Sequence, residues 1–378
     1  MNPLLGLINF GQSYWIDNLT RKLIQSGELK RRITEEGLRG MTSNPAIFNK
    51  AISKSNDYDE QIRQLLRNGY NTVKIFEALA IKDVQDACDL FRSVYDESQG
   101  LDGFVSLEVS PYLARQTQAT IEEARRLFKM VNRPNCLIKI PGTQEGLAAI
   151  EQMLYEGVNV NITLLFGVER YEAVAKTYIK ALERRAAEEK DLTRIASVAS
   201  FFVSRMDVLV DQLLSHYLLP GDPAMESSLP KQIMGKIAVA NAKMAYQSFK
   251  KIFSTPHWKK LEKKGAKVQR PLWASTSTKT PGYSDVMYVE PLIGENTVNT
   301  MPEDTITAFA DHGRLQSRAV EQNLTEAQYC LRSLKNLGIR LDFVTQQLEN
   351  EGIQKFIDPF SELMKSIHDK QKELAAAM

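Results

Sequence analysis

Residues 136–164 read CLIKIPGTQEGLAAIEQMLYEGVNVNITL. The segment opens with a short apolar run, continues into apolar residues at helical spacing over 145–155, and ends in strict alternation over 159–164. Strand, amphipathic helix and second strand, punctuated by Pro-Gly and Gly turns, make a βαβ unit whose two strands must run parallel.

Outward from this unit the same alternation recurs. Strand patterns lie at 12–16, 37–41, 104–109, 136–140, 159–164, 195–200, 271–276 and 297–299. Helical patterns lie between them at 57–68, 73–95, 121–131, 145–155, 168–188, 204–217 and 231–252, and after them at 305–311, 324–337 and 341–372. Turn residues punctuate the units at Gly69, Gly100, Gly103, Pro134, Gly157 and 219–230. Eight strands interleaved with helices over about 300 residues predict an α/β fold, a single (β/α)8 TIM-type barrel. We expect one domain over 1–378, with 303–378 a helical C-terminal extension that packs on the barrel and includes a long C-terminal helix. GxGxxG and GxxxxGK[ST] are absent, so an open dinucleotide or P-loop sheet would lack its phosphate cradle.

Hydrophobic residues are 43% and charged residues 25% of the chain, a globular balance that excludes a disordered or fibrous protein. Forty-eight Lys and Arg against 46 Asp and Glu leave +2, so the balance implies neither a nucleic-acid nor a membrane partner, and any anion site must be local. The basic runs Lys30-Arg31-Arg32 and Lys259-Lys260 with Lys263-Lys264 are short and read as solvated faces. Cys88, Cys136 and Cys330 are odd in number and far apart, which points to a reducing, cytoplasmic compartment. His216, His257, His312 and His368 show no metal-ligand spacing, so no metal is expected. The apolar stretch 4–10 is too short for a signal segment, and no run of about 18 apolar residues offers a membrane span.

Polar residues inside barrel strands demand an explanation. In Val105-Ser106-Leu107-Glu108-Val109-Ser110 the alternation puts Ser106, Glu108 and Ser110 on the inner face. In 159–164 it puts Asn159, Asn161 and Thr163 inward and Val160, Ile162 and Leu164 outward. Lys139 interrupts the apolar run Cys136 to Ile140. Burying an ammonium is costly, so a lysine there must find a partner or become a neutral amine, and that amine is the nucleophile for a carbonyl. Amine attack gives a carbinolamine that loses water with the help of a proton donor, a task suited to Glu108 with a water held by Thr163. The pattern points to imine chemistry.

These residues sit within ordered blocks: GMTSNPAIF at 40–48, VSLEVSP at 105–111, LIKIPG at 137–142, VNVNITLLF at 158–166, ASFFVSRMD at 199–207, RPLWASTSTK at 270–279 and YVEPLIGENTVNTMP at 288–302. From about Asp17 to Pro302 the chain thereby resembles transaldolase, a class I Schiff-base aldolase family of the pentose phosphate pathway. The block after Arg270 is similar to its longer subfamily.

The resemblance implies a transferase in which Lys139 forms an imine with C2 of sedoheptulose 7-phosphate or fructose 6-phosphate. The dihydroxyacetone unit then passes to glyceraldehyde 3-phosphate or erythrose 4-phosphate. It assigns Asp17 to the proton of the C4 hydroxyl, Glu108 and Thr163 to imine formation and hydrolysis, and Asn44, Asn161 and Ser200 to the hydroxyls of the bound unit. Arg205 matches the phosphate-binding arginine, with Ser275, Ser277 and Lys279 after the seventh strand as further phosphate contacts; the family pattern leads one to expect glycine at Ser277. No cofactor is implied, because the imine is itself the electron sink.

The apolar stripe of 341–372 calls for a surface to cover, either the barrel mouth, as in the family, or a second copy, which leaves a monomer or a homodimer. A Schiff-base aldolase acting on a free sugar shares the lysine chemistry, and a silent barrel that only binds is the alternative from another class. Asp17, Arg205 and the Lys279 region favour phosphorylated substrates, and the joint presence of Lys139, Glu108 and Asp17 favours an enzyme.

Overall fold

A strand flanked by parallel neighbours and covered by helices needs only a few residues to span a barrel wall. In the computed structural model, which describes residues 2–218 and 228–376, eight such strands are present. They are β1 (Gln12–Asp17), β2 (Gly40–Thr42), β3 (Phe104–Glu108), β4 (Cys136–Pro141), β5 (Val160–Leu165), β6 (Ser197–Phe202), β7 (Arg270–Ala274) and β8 (Thr297–Met301). They form a closed parallel barrel in sequence order, β8 pairing back on β1 from Gln12 opposite Thr297 to Ile16 opposite Met301. The (β/α)8 architecture expected from the sequence is the observed one.

Local departures have local causes. β2 lies at Gly40–Thr42 rather than 37–41, because Gly37 takes the left-handed conformation at φ 71° and ends the preceding turn. β6 runs on through Phe201 and Phe202, and β7 stops at Ala274, where Ser275 turns to φ 55°. In β5 the register shifts between Ile162 and Leu165, with Leu164 at φ 62°, so the alternation predicted for this strand ends at Thr163. Asn159 precedes the strand and does not join the polar chamber. Its Nδ2 donates to the Pro134 carbonyl at 3.0 Å and its Oδ1 accepts from the Ala196 N–H at 2.8 Å, so it latches neighbouring loops.

The helical pattern at 73–95 is two helices, Thr72–Leu90 and Arg92–Glu97, and that at 231–252 is Leu229–Ile233 and Ile237–Phe253, parted at Gly235 with φ 70°. Among the described residues five further α-helices do not show in the periodicity: Pro3–Gly6, Arg21–Gln25, Glu28–Glu35, Pro45–Ser53 and Pro256–Glu262. The turn expected at 219–230 lies outside the described residues as far as 227. No helix among the described residues is long and apolar enough to cross a membrane.

The two ends of the barrel are closed differently. At the N-terminal ends of the strands, Arg270 pairs with Asp102 at 3.1 Å and donates to the Ser13 hydroxyl at 2.6 Å, while Arg39 meets the same carboxylate at 2.9 Å. At the opposite end lies the helix Leu341–Ala376, 36 residues and about 54 Å long at 1.5 Å per residue. It buries Val344, Leu348, Gly352, Ile353, Phe356, Leu363 and Ile367, the stripe noted in the sequence, against helices 45–53, 59–67, 72–90 and 204–215 and against β5. Gly352 permits a close approach: a Cβ there would stand 3.1 Å from Leu164 and 3.3 Å from Phe166.

Candidate active site

Side chains at equal height on adjacent strands stand about 4.8 Å apart, so register decides which of them meet. Glu108 of β3 lies opposite Lys139 of β4, and Lys139 lies opposite Asn161 of β5. Lys139 is 5% exposed, and its ammonium stands 3.4 Å from Glu108 Oε2 and donates to the Ser43 carbonyl at 3.1 Å. The ring of Phe356, from helix 341–376, stands 5.2 Å away. A carboxylate, a backbone carbonyl and an aromatic face thus hold a buried lysine.

Burial pushes the Glu108 carboxyl up to about 7, with Lys139 pulling the other way. The Glu108–Lys139 contact is long for a hydrogen bond, and Glu108 Oε2 and the Thr163 hydroxyl are both buried without a protein hydrogen-bond partner. Asp17, at the end of β1, faces Thr42 of β2 in register and accepts its hydroxyl at 2.7 Å. Burial raises the Asp17 carboxyl above its ordinary range, against the opposing pull of Lys139, the Thr42 hydrogen bond and Arg205. The cap of the neighbouring helix 21–25 is Thr20, so Asp17 is not tied up as a helix cap.

Asp17, Lys139, Thr163, Ser200, Arg205 and Asn44 line one cavity of ≈ 290 Å³ at the C-terminal mouth of the barrel, together with Ser275, Ser277 and Lys279. Asn44 also caps helix 45–53 by accepting the Ile47 N–H at 3.1 Å. Asn161 lies just beneath, fully buried, its amide held between the Ser106 and Ser200 hydroxyls at 3.0 and 2.6 Å. Side chains beyond the sequence reading complete the wall: Thr42, Phe202, Thr300, Lys355 and Phe356. Thr42, Phe202 and Thr300 fell inside quoted blocks and Phe356 inside the apolar stripe, while nothing in the sequence marks the Ser43 carbonyl as a lysine acceptor.

Arg205 sits in the first turn of helix Ser204–Ser215, its guanidinium 5.2 Å from the Phe202 ring and its Nη1 buried without a partner. The Ser275 hydroxyl is engaged by Ser204 at 2.9 Å, and Lys279 is exposed at the rim. Ser275, not Ser277, carries the left-handed φ in this loop, so its backbone turn does not require glycine at 277. Two tyrosines pin the segment that follows to the Arg205 helix: Tyr288 donates to Asp207 at 3.0 Å and Tyr283 to Asp211 at 2.9 Å. The same carboxylates accept the Ala238 and Gly235 N–H groups at 2.7 and 2.9 Å. Burial pushes Asp207 up to about 7.

Residues 14–367 match the family described as Transaldolase/Fructose-6-phosphate aldolase. The chain is 51% identical over 379 aligned residues, 99% of both chains, to Transaldolase 2 of Nostoc sp.. It is 50% identical to a Transaldolase of Trichodesmium erythraeum, over 99% of this chain and 98% of that one. Transaldolase 2 of Streptomyces coelicolor is 44% identical over the same shares. With its barrel, its buried strand lysine and nearly its whole length matched, the chain belongs to the transaldolase/fructose-6-phosphate aldolase family.

Proposed function

We propose that the chain moves a dihydroxyacetone unit from sedoheptulose 7-phosphate or fructose 6-phosphate to glyceraldehyde 3-phosphate or erythrose 4-phosphate through an imine on Lys139, in the non-oxidative pentose phosphate pathway. The observation that carries the reading is the enclosed Lys139 ammonium, 3.4 Å from Glu108 and lining the same cavity as Asp17 and Arg205.

Lys139 Nζ, having passed a proton to Glu108, attacks C2 of the ketose. The protonated Glu108 gives that proton to the leaving hydroxyl, and the carbinolamine becomes an iminium as water departs. A carboxyl poised near 7 can both accept and return the proton near neutrality. The Thr163 hydroxyl, with no protein partner, is free to hold the water. Asp17, made more basic by burial, removes the C4 hydroxyl proton; the C3–C4 bond breaks, its electrons enter the iminium, and an enamine remains while the aldose leaves. The enamine carbon then attacks the acceptor aldehyde, Asp17 returns the proton to the new alkoxide, and water hydrolyses the iminium under Glu108.

Asn44, Asn161 and Ser200 orient the hydroxyls of the three-carbon unit. Arg205, Ser275, Ser277 and Lys279 take a phosphate that carries nearly two charges at neutral pH. In this reading the barrel and the 303–378 helices act as one cytoplasmic catalytic unit.

Borohydride reduction with fructose 6-phosphate, followed by peptide mass analysis, tests the central bond. A three-carbon adduct on Lys139, absent in Lys139→Met, is expected. A folded protein that yields no adduct with either ketose phosphate refutes the imine.

A further inference from the structure

The helix 341–376 does more at the mouth than cover apolar surface. On either side of Gly352, which abuts β5, and next to Phe356, which stands over Lys139, it carries Glu351 and Lys355. Their side chains pair at 3.1 Å, one helical turn apart. Lys355 lines the same cavity as Arg205, Ser277 and Lys279. The cations of that lining are Lys139, Arg205, Lys279 and Lys355, against the one carboxylate Asp17. With Lys139 committed to the imine, three cations on three separate elements remain for one doubly charged group.

Glu351 is placed among them. Its carboxylate accepts Gln347 Nε2 at 2.8 Å as well as pairing with Lys355. The Gln347 hydrogen bond, then Lys355 and the field of Arg205, hold it below the ordinary carboxylate range. Burial holds Arg205 below its ordinary range, with the Glu351 and Asp17 carboxylates pulling the other way, while its Nη1 finds no hydrogen-bond partner.

We propose that Lys355 is a phosphate-binding residue of the sugar-phosphate site, and that Glu351 holds its ammonium in place until the phosphate displaces the carboxylate. This rests on the sugar-phosphate reading above and adds to it a contact from the helix that closes the mouth. An exposed pair one turn apart is weak, so its exchange opposes binding little. A phosphate offers more charge and more acceptors than the carboxylate it replaces.

The experiment uses the full chain with Lys355→Met, Lys355→Arg and Glu351→Gln. Three quantities are read: KM for fructose 6-phosphate, the competitive inhibition constant for inorganic phosphate, and borohydride capture of dihydroxyacetone, which carries no phosphate. Lys355→Met should weaken both phosphate constants at least about tenfold, as for loss of a charge-assisted hydrogen bond, and Lys355→Arg should recover most of that loss. Glu351→Gln should tighten both by about two- to fivefold, the scale of an exposed ion pair. Capture of dihydroxyacetone should be the same in all three.

Unchanged phosphate constants in Lys355→Met, a loss shared equally by dihydroxyacetone capture, or weaker binding in Glu351→Gln each overturn the inference. A parent protein that captures no fructose 6-phosphate adduct overturns the functional reading and this inference with it. A parent that captures the adduct while Lys355→Met keeps its phosphate affinity overturns this inference alone.

Discussion

Replacing Glu108 with glutamine separates what this carboxyl does for the fold from what it does for the chemistry. Burial raises it from 4.5 to about 7, even beside Lys139. An acid whose folded value is raised supports the fold fully below its unfolded value, and that support is lost as pH rises through the folded one. At about 1.4 kcal/mol per tenfold, ionising Glu108 in place costs about 3 kcal/mol by pH 9. Glutamine copies the protonated form in shape and cannot ionise, and Lys139 keeps the Ser43 carbonyl. Glu108→Gln should therefore unfold at nearly the same midpoint as the parent at pH 4.5, and gain up to about 3 kcal/mol over it at pH 9. Over the same range, imine formation measured by quenched borohydride capture should fall about 10²- to 10⁴-fold. It should also lose the rise through about pH 7 expected of the parent, in which Glu108 must be ionised to accept the Lys139 proton. A gap between the two unfolding midpoints that does not widen with pH would refute the reasoning, as would a rise through pH 7 that survives the substitution.

Asp17→Asn should still form the trapped adduct with fructose 6-phosphate, while release of the aldose falls about 10²- to 10⁴-fold; an equal loss of trapping would move Asp17 to an earlier step. Tyr288→Phe removes the hydroxyl that pins the 275–289 segment to the Arg205 helix through Asp207, leaving a buried carboxyl short of one donor at about 1–3 kcal/mol. It should raise KM for phosphorylated substrates several-fold while leaving capture of dihydroxyacetone unchanged, and a fall in both would show a general loss of structure instead.

How far the sequence could be read depended on where each residue sits. Glu108, Lys139, Asn161 and Thr163 stood out because a barrel strand is apolar on both faces, which makes a polar residue at an inward position conspicuous. The strands were found for the same reason, and their ends were missed where the backbone rather than the side chain decides, as at Gly37 and Ser275. Helices 45–53 and 256–262 did carry local signals, an Asn44 or Thr255 cap followed by Pro45 or Pro256, although each is too short to establish a period. Helix 28–35 carries five charged residues in eight, and the basic run read there as a solvated face is anchored by Arg32 to Glu303, 2.7 Å away. Lys355 is the converse case. On a long amphipathic helix a lysine looks like any solvated residue, and only the position of that helix over the mouth gives it a neighbourhood. The Ser43 carbonyl that holds Lys139 had no signature, since every residue has a carbonyl.

The contacts that finish this molecule join distant parts of the chain: Gln12 pairs with Thr297 to shut the barrel, and Phe356 comes back over Lys139. At a synthesis rate of about 5–20 residues per second, the stretch between Lys139 and Phe356 takes roughly 10–45 s to emerge. During that interval β1 and β5 lack their final partners β8 and β6 in whole or in part, and the Lys139 amine has no aromatic roof. Topology of this kind folds slowly, because the chain must close very large loops before the closing contacts form. Catalytic competence is thus among the last properties the nascent chain acquires, because the pocket is complete only when Phe356 reaches Lys139.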